Sequence, residues 1–348
     1  MADFKKIRIG VAGQGRSGYS IHVKTITGLP EMFELVAVAD LLPERREDAV
    51  KLVPGCKTYE KAEEMLQDGN IELMVVSTPS YLHTAHTRAA LAAGRGVLCE
   101  KPFALTLADF DETVSEAKKL GRFLAPFQQR RYEPSLAKIQ EIIAAGTLGR
   151  IVHCRVAMHN FARRWDWQTL KQFGGGQLYN NCPHVIDLGL QLFGPEDPSE
   201  IFGDLQRTLA SGDAEDHVKI TLKRKGQPTV DIEWFATDAF GTDLWTIMGT
   251  SGTLRGSVNA LEWKSVDWKD YPPRPVDPTP TKGRSYNSEK LHFKDDKWEM
   301  PKETTDNATL FYRDLYHSFR EGKELHVTVE SVRRQIVIID HCRKTCPV

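Results

Sequence analysis

Three glycines at the spacing G-x-G-x-x-G, in Gly13-Gln14-Gly15-Arg16-Ser17-Gly18, are the first residues of this chain that point to chemistry. They follow an apolar run, Ile7 to Ala12, and a second run, Phe33 to Ala39, ends at Asp40. A strand, a glycine turn, a helix and an acid about 20 residues on are the parts of a dinucleotide-binding unit. Gly13 serves the tight turn, Gly15 leaves room for a pyrophosphate, and Gly18 lets helix and strand pack closely. Arg16 and Ser17 open the helix, whose free N–H groups and positive dipole attract phosphates. Asp40 suits the adenosine ribose hydroxyls and opposes a 2′-phosphate. The expected cofactor is therefore NAD, in preference to NADP.

Other polar groups follow apolar runs of the same region. Ligands of open parallel sheets bind at the carboxyl ends of the strands. Two segments emerge there, Ser77-Thr78-Pro79-Ser80-Tyr81-Leu82-His83 and Cys99-Glu100-Lys101-Pro102. Thr78, Pro79, His83, Glu100 and Lys101 are thus expected beside the cofactor. Lys101, which follows the apolar Val97-Leu98, is a poor choice for packing and a good one for polarising a substrate oxygen. Glu100 suits the nicotinamide ribose, or a simple ion pair. A third segment runs from Gly174-Gly175-Gly176 through Asn180-Asn181 to His184 and Asp187. The glycines let backbone approach something closely, and the two acid–base residues share a helix face at i,i+3. Before it stand Arg163, Arg164, Trp165, Asp166 and Trp167. Aromatic and charged side chains together suit a carbohydrate, and are also what an ordinary surface loop carries. Arg130 can touch cofactor or substrate, or form a structural ion pair.

These groups need elements to hold them. A length of 348 residues predicts two domains. Residues 1–125 alternate strand and helix patterns and read as a doubly wound, parallel α/β sheet. Strands are expected at 7–12, 33–39, 56–59, 71–78, 96–99 and 123–127. Helices are expected after Gly18, at 43–53, 60–67 and 83–93, and at 106–120 with Thr106 as N-cap. Residues 126–348 read as a second α/β domain with a large, open, mostly antiparallel sheet. It holds a helix at 135–145, a strand at 151–159, short strands from 201 to about 300, and closing helices at 307–321 and 329–343. The stretch Tyr271 to Ser288 carries five prolines and cannot be a central strand. It is a surface insertion or a substrate lid.

Lys plus Arg number 46 against 47 Asp plus Glu, a net charge of −1, which offers nothing to nucleic acid or an acidic membrane surface. No apolar run is long enough to span a bilayer. The N-terminus runs almost directly into the first strand, with no room for a signal peptide. Six scattered cysteines lack the histidine spacing of a zinc site, so no metal is expected and a reduced, cytoplasmic protein is.

On these residues the chain resembles the Gfo/Idh/MocA oxidoreductases. The resemblance rests on the glycine fingerprint, Thr78-Pro79 with His83, Glu100-Lys101-Pro102, and Gln129-Arg130-Arg131-Tyr132-Glu133-Pro134. It extends through Gly146-Thr147-Leu148-Gly149-Arg150-Ile151, the glycine run with His184 and Asp187, and Gly249-Thr250-Ser251-Gly252-Thr253-Leu254. It implies a Rossmann domain, and a second domain whose open sheet makes the contacts of a homodimer or homotetramer. It implies hydride transfer at a hydroxyl or carbonyl of a sugar, cyclitol or related polyol. Lys101 would be the catalytic lysine and His184 the acid/base histidine. Four residues before that histidine the family commonly has aspartate, whereas this chain has Asn180. An amide cannot ionise, but it can orient His184 or bind a substrate hydroxyl. With Arg163 and Trp167, the residues Lys101, Asn180 and His184 make up the expected substrate contacts. His184 would take the hydroxyl proton and Lys101 would stabilise the alkoxide, although some members use the lysine for the proton. Asp187 reads as structural. Two other readings stay open: a redox-neutral enzyme that retains NAD during elimination or epimerisation, and a non-catalytic dinucleotide-binding sensor.

Overall fold

The computed structural model describes residues 5–281 and 283–348. Six strands form the first sheet: β1 (Ile7–Ala12), β2 (Phe33–Ala39), β3 (Lys57–Tyr59), β4 (Leu73–Val76), β5 (Gly96–Cys99) and β6 (Leu124–Pro126). All pair in parallel, in the order β3-β2-β1-β4-β5-β6. The order reverses between β1 and β4, which opens a crevice at their carboxyl ends. Every residue of β4 and β5 is buried, as expected for parallel strands covered on both faces. The covering helices are α1 (Lys24–Thr27), α2 (Pro43–Leu52), α3 (Ala62–Met65), α4 (His83–Ala92) and α5 (Leu107–Leu120). A π-helical stretch, Gly18–Val23, precedes α1. Helix α5 begins where Thr106 accepts from the Asp109 N–H at 3.1 Å, and ends at Gly121 with φ 60°.

Two elements are shorter than their sequence pattern. The strand expected at 71–78 pairs over Leu73–Val76, and just past it Ser77 still donates its N–H to the Ala12 carbonyl at 2.9 Å. Its Oγ lies 2.9 Å from the carbonyls of both Ala12 and Gly13, so this residue also holds the glycine turn. The helix expected at 60–67 is the single turn α3. Beyond it, Asp68 accepts from the Asn70 N–H at 3.0 Å and redirects the chain toward β4.

The second domain contributes α6 (Pro134–Ala144), β7 (Ile151–His159), α7 (Gln177–Asn180), α8 (Cys182–Phe193) and seven more strands. These are β8 (Glu200–Gln206), β9 (His217–Lys223), β10 (Thr229–Phe235), β11 (Trp245–Gly249), β12 (Gly252–Gly256), β13 (Ala260–Ser265) and β14 (Lys294–Glu299). The sheet runs β14-β13-β12-β11-β7-β10-β9-β8, antiparallel except where β7 lies beside β10. Burial alternates along β9 and β10, whose inner face meets α8. Every residue of α8 except Gln191 is buried, the mark of a helix enclosed on all sides. The proline-rich stretch contains no strand among its described residues and is almost wholly exposed.

The last two helices, α9 (Asn307–Glu321) and α10 (Val329–Thr345), turn back to the first domain. Tyr312 and Tyr316 on α9 meet Phe33 of β2 edge-on, at centroid distances of 5.4 and 5.8 Å. Arg320 pairs with Glu72 at 2.9 Å, and Arg333 on α10 with Asp111 on α5 at 2.7 Å. A cut after residue 125 therefore separates segments that pack together. Among the described residues, no helix is long and apolar enough to cross a membrane.

Candidate active site

The carboxyl ends of β1, β2, β4 and β5 open into one cleft of about 270 Å³. Gly13, with φ 86°, makes the turn after β1, and a Cβ there would fall 2.5 Å from the Ser77 carbonyl oxygen. A Cβ on Gly18 would fall 1.8 Å from the Gly13 carbonyl oxygen, so helix and strand meet at a separation only glycine permits. Gly15 is different. The nearest atom to its would-be Cβ is Arg45 Nη1 at 3.9 Å, which leaves its surface bare. A second cavity of about 240 Å³ shares Gly15, Arg16 and Arg45 with the first. Two adjoining hollows across a bare glycine fit an elongated dinucleotide. Asp40 stands at the end of β2. Its Oδ2 accepts from the Gln14 N–H at 2.7 Å and its Oδ1 from the Leu42 N–H at 3.0 Å, with Arg45 Nη1 3.5 Å away. It ties the glycine turn to β2 as well as facing the cleft.

The turn after β5 carries the reactive candidates. The Lys101–Pro102 peptide is cis. Glu100 borders the cleft, but both its oxygens are engaged: Oε2 accepts from the Lys101 N–H at 2.8 Å and Oε1 meets His22 Nε2 at 3.3 Å. His22 is thus one partner of Glu100, and each carboxylate oxygen keeps a lone pair that a ribose hydroxyl can use. Burial opposes its ionisation, yet His22 and Lys101 outweigh burial and pull its pKa down to about 2. Lys101 reaches into the second domain, where Nζ donates to the Asn180 carbonyl at 2.6 Å. Burial lowers the Lys101 pKa from its ordinary value. Glu100 raises it, and Arg16, Arg130 and Arg164 add to the lowering.

Asn180 is the last residue of α7, and His184 lies just inside the buried α8. His184 is 7% exposed, and its Nδ1 is buried with no hydrogen-bond partner among the described residues. Burial first, then the charges of Lys101, Arg130 and Arg16, hold its pKa well below the ordinary imidazole value. It is a neutral imidazole with an unused nitrogen. His83 also borders the cleft, but Nδ1 lies 2.7 Å from the Pro102 carbonyl and Nε2 2.8 Å from the Thr78 carbonyl. Its ring clasps the turns after β4 and β5 together.

Four expectations are corrected. Asn180 does not orient His184: its Oδ1 accepts from Gln168 Nε2 at 3.4 Å, because the turn at Asn181 separates α7 from α8. Arg163 does not border the cleft. Its neighbours Ala162 and Arg164 are tied by backbone bonds to Ala236 and Ser211, which turns the side chain between them outward. Arg164 is engaged by Asp166 at 2.8 and 2.9 Å, and of this loop Trp167 and Gln168 face the cleft. The glycine run approaches no ligand hollow. A Cβ on Gly176 would fall 2.1 Å from the buried Glu215 carboxylate, which accepts from the Leu178 N–H and pairs with Arg343.

Other residues stand as their chemistry suggests. Asp187 is buried against Arg131, whose Nε donates to Oδ2 at 3.1 Å and whose Nη2 donates to Oδ1, a structural pair. Arg130 pairs with Glu133 at 3.2 Å. Gly15, Arg16, Ser17, Thr78 and Pro79 border the cleft. Sequence reasoning missed Arg45, Gln168 and Tyr179. Gln168 adjoins Trp167 and Tyr179 adjoins Asn180, so the signal was there. Arg45 sits five residues past the acid on α2, where a base was not sought. Among the described residues, no three His, Cys, Asp or Glu side chains gather as a metal ion requires.

Residues 7–127 match the family described as an oxidoreductase family with an NAD-binding Rossmann fold, and residues 136–255 match the GFO/IDH/MocA C-terminal domain. An uncharacterized oxidoreductase of Schizosaccharomyces pombe is 29% identical over 85% of this chain and 80% of its own length. A scyllo-inositol 2-dehydrogenase (NADP(+)) of Bacillus subtilis is 25% identical over 96% of this chain and 92% of its own. The crystal structure of an NAD-binding protein from Listeria innocua superposes with a TM-score of 0.81 at 25% identity, covering 98% of this chain and 97% of that one.

Proposed function

This chain belongs to the Gfo/Idh/MocA oxidoreductase family, and from that we propose that it transfers a hydride between NAD and a secondary hydroxyl or carbonyl of a sugar, cyclitol or related polyol. The observation that carries the reading is the reach of Lys101 from β5 to Asn180, four residues ahead of the neutral, buried His184. The nicotinamide, when bound, supplies the hydride acceptor or donor. The chain supplies position, charge and a proton site.

An ammonium has three donors, and Lys101 uses one on the Asn180 carbonyl. The remaining donors serve a substrate oxygen and stabilise the negative charge that develops on it. His184 takes the hydroxyl proton on its imidazole through Nε2, since Nδ1 is buried, a general-base contribution of ~10²–10⁴-fold. Trp167 offers a flat apolar face to a sugar ring, and the Asn180 amide offers hydrogen bonds to its hydroxyls. Arg16 and the bare surface of Gly15 hold the diphosphate. Asp40 binds the adenosine ribose and favours NAD over NADP. Arg45 lies close enough to offset part of that charge, and the Bacillus relative is named for NADP(+), so both cofactors belong in the test.

That test is the absorbance of added NAD or NADP with a panel of cyclitols, aldoses and sugar acids. The reading expects net reduced cofactor with at least one polyol, and more with NAD. Product without net reduction would replace it with a redox-neutral reaction. Cofactor binding with no product from any of them would contradict it.

A further inference from the structure

A chain of buried polar side chains runs behind the Lys101 turn. The Tyr312 hydroxyl lies 2.7 Å from His22 Nδ1, His22 Nε2 lies 3.3 Å from Glu100 Oε1, and Glu100 Oε2 accepts from the Lys101 N–H at 2.8 Å. His22 and Tyr312 have no accessible surface, and Glu100 is 4% exposed. The Phe127 ring packs on His22 at a centroid distance of 4.5 Å. The three groups come from three elements: the π-helical stretch after the glycine fingerprint, the end of β5, and α9.

The hydrogens have a direction. Burial and the Glu100 charge push the Tyr312 phenol well above its ordinary pKa, so it stays protonated and donates to His22 Nδ1. The other imidazole nitrogen then carries the hydrogen and donates to Glu100. Both bonds point toward the carboxylate, at a depth where burial alone would neutralise it. Glu100 in turn is the charge that favours the ammonium of Lys101 against burial and against Arg16 in the glycine fingerprint, Arg130 after β6 and Arg164 in the loop after β7. The other groups near that ammonium are the Asn180 carbonyl and neutral His184.

We propose that His22 is a positioning residue for the reaction. By donating to Glu100 and accepting from Tyr312, it holds the Glu100–Lys101 turn and keeps a carboxylate charge behind the Lys101 ammonium. The dinucleotide-binding helix is thereby coupled to the reactive lysine. This rests on the reading of Lys101 as the substrate-facing cation, but its test needs no substrate.

The amine of Lys101 is competitively acetylated with acetic anhydride across pH on the intact chain, and the Lys101 peptide is quantified by mass. His22→Phe removes donor and acceptor while filling similar space. Freed of that donor, the Glu100 carboxylate is no longer held behind the ammonium, and the Lys101 titration midpoint is expected to fall by up to about one pH unit. His22→Gln offers an amide N–H and C=O in their place and is expected to restore most of the shift. Tyr312→Phe is expected to move the midpoint the same way by less. An unchanged midpoint in folded His22→Phe overturns the proposal, and Tyr312→Phe decides in the same sense if His22→Phe does not fold. A shift that His22→Gln fails to restore at all assigns the effect to packing and overturns it too. If the wild type reduces neither cofactor with any polyol, the functional reading fails while the labelling result still stands.

Discussion

Lys101 and His184 each hold an uncommon protonation balance, and the balance fixes how activity must follow pH. In the proposed reaction, His184 acts as a base only when neutral. Its pKa lies well below 6.5, so activity is present above that lowered value and lost as pH falls through it. In the same proposed reaction, Lys101 stabilises an alkoxide only when protonated. Its pKa lies below 10.5, so activity is lost as pH rises through that lowered value. The kcat/KM profile for polyol oxidation is therefore expected to be bell-shaped, with its acid limb below pH 6.5 and its alkaline limb below pH 10.5. An acid limb at or above the ordinary histidine range contradicts the burial assigned to His184. Much of this was legible from residue types: a lysine just past an apolar strand has few packing uses. The side-chain partners were not. Asn180 turns to Gln168 and Glu100 to His22, and both choices depend on which distant segments fold against them.

At the scale of elements, the site depends on α8 staying where it is. This helix buries Asp187 beside His184 and neutralises it with Arg131, whose side chain is 3% exposed. Breaking one side of a buried pair leaves an uncompensated charge. Arg131→Met is expected to cost about 3–5 kcal/mol of unfolding free energy, read from urea denaturation. Loss comparable to a surface substitution would mean that the pair is not structural. Gly96–Cys99, Ile151–His159 and Trp245–Gly249 follow directly from their apolar patterning. Residues 71–78 form a shorter strand than patterned, and that the Ser77 hydroxyl is spent on the carbonyls of Ala12 and Gly13 no local pattern encodes. The run Gly174–Gly176 was legible as a close approach, but not what it approaches. Its neighbour, Glu215, lies 39 residues beyond Gly176 in the sequence.

At the scale of the whole molecule, two domains build one site. The first holds the proposed dinucleotide cradle and Lys101, and the second brings Asn180 to the same cleft edge, with His184 buried four residues behind it. The chain then sends α9 and α10 back across the first domain, so both halves are locked by side chains such as Tyr312, Arg320 and Arg333. That return was invisible to a reading by composition, which places 126–348 together. Lys101 and His184 are assigned to one substrate oxygen, and groups that act as a unit lose their effects non-additively. The most direct test is a double-mutant cycle on kcat with the polyol that reduces the cofactor fastest, using Lys101→Met, His184→Asn and both together. Each single change is expected to lower kcat by ~10²-fold or more, with the double variant little slower than the worse single one. Losses that multiply in the double variant, or near-full turnover by Lys101→Met, would contradict a shared site.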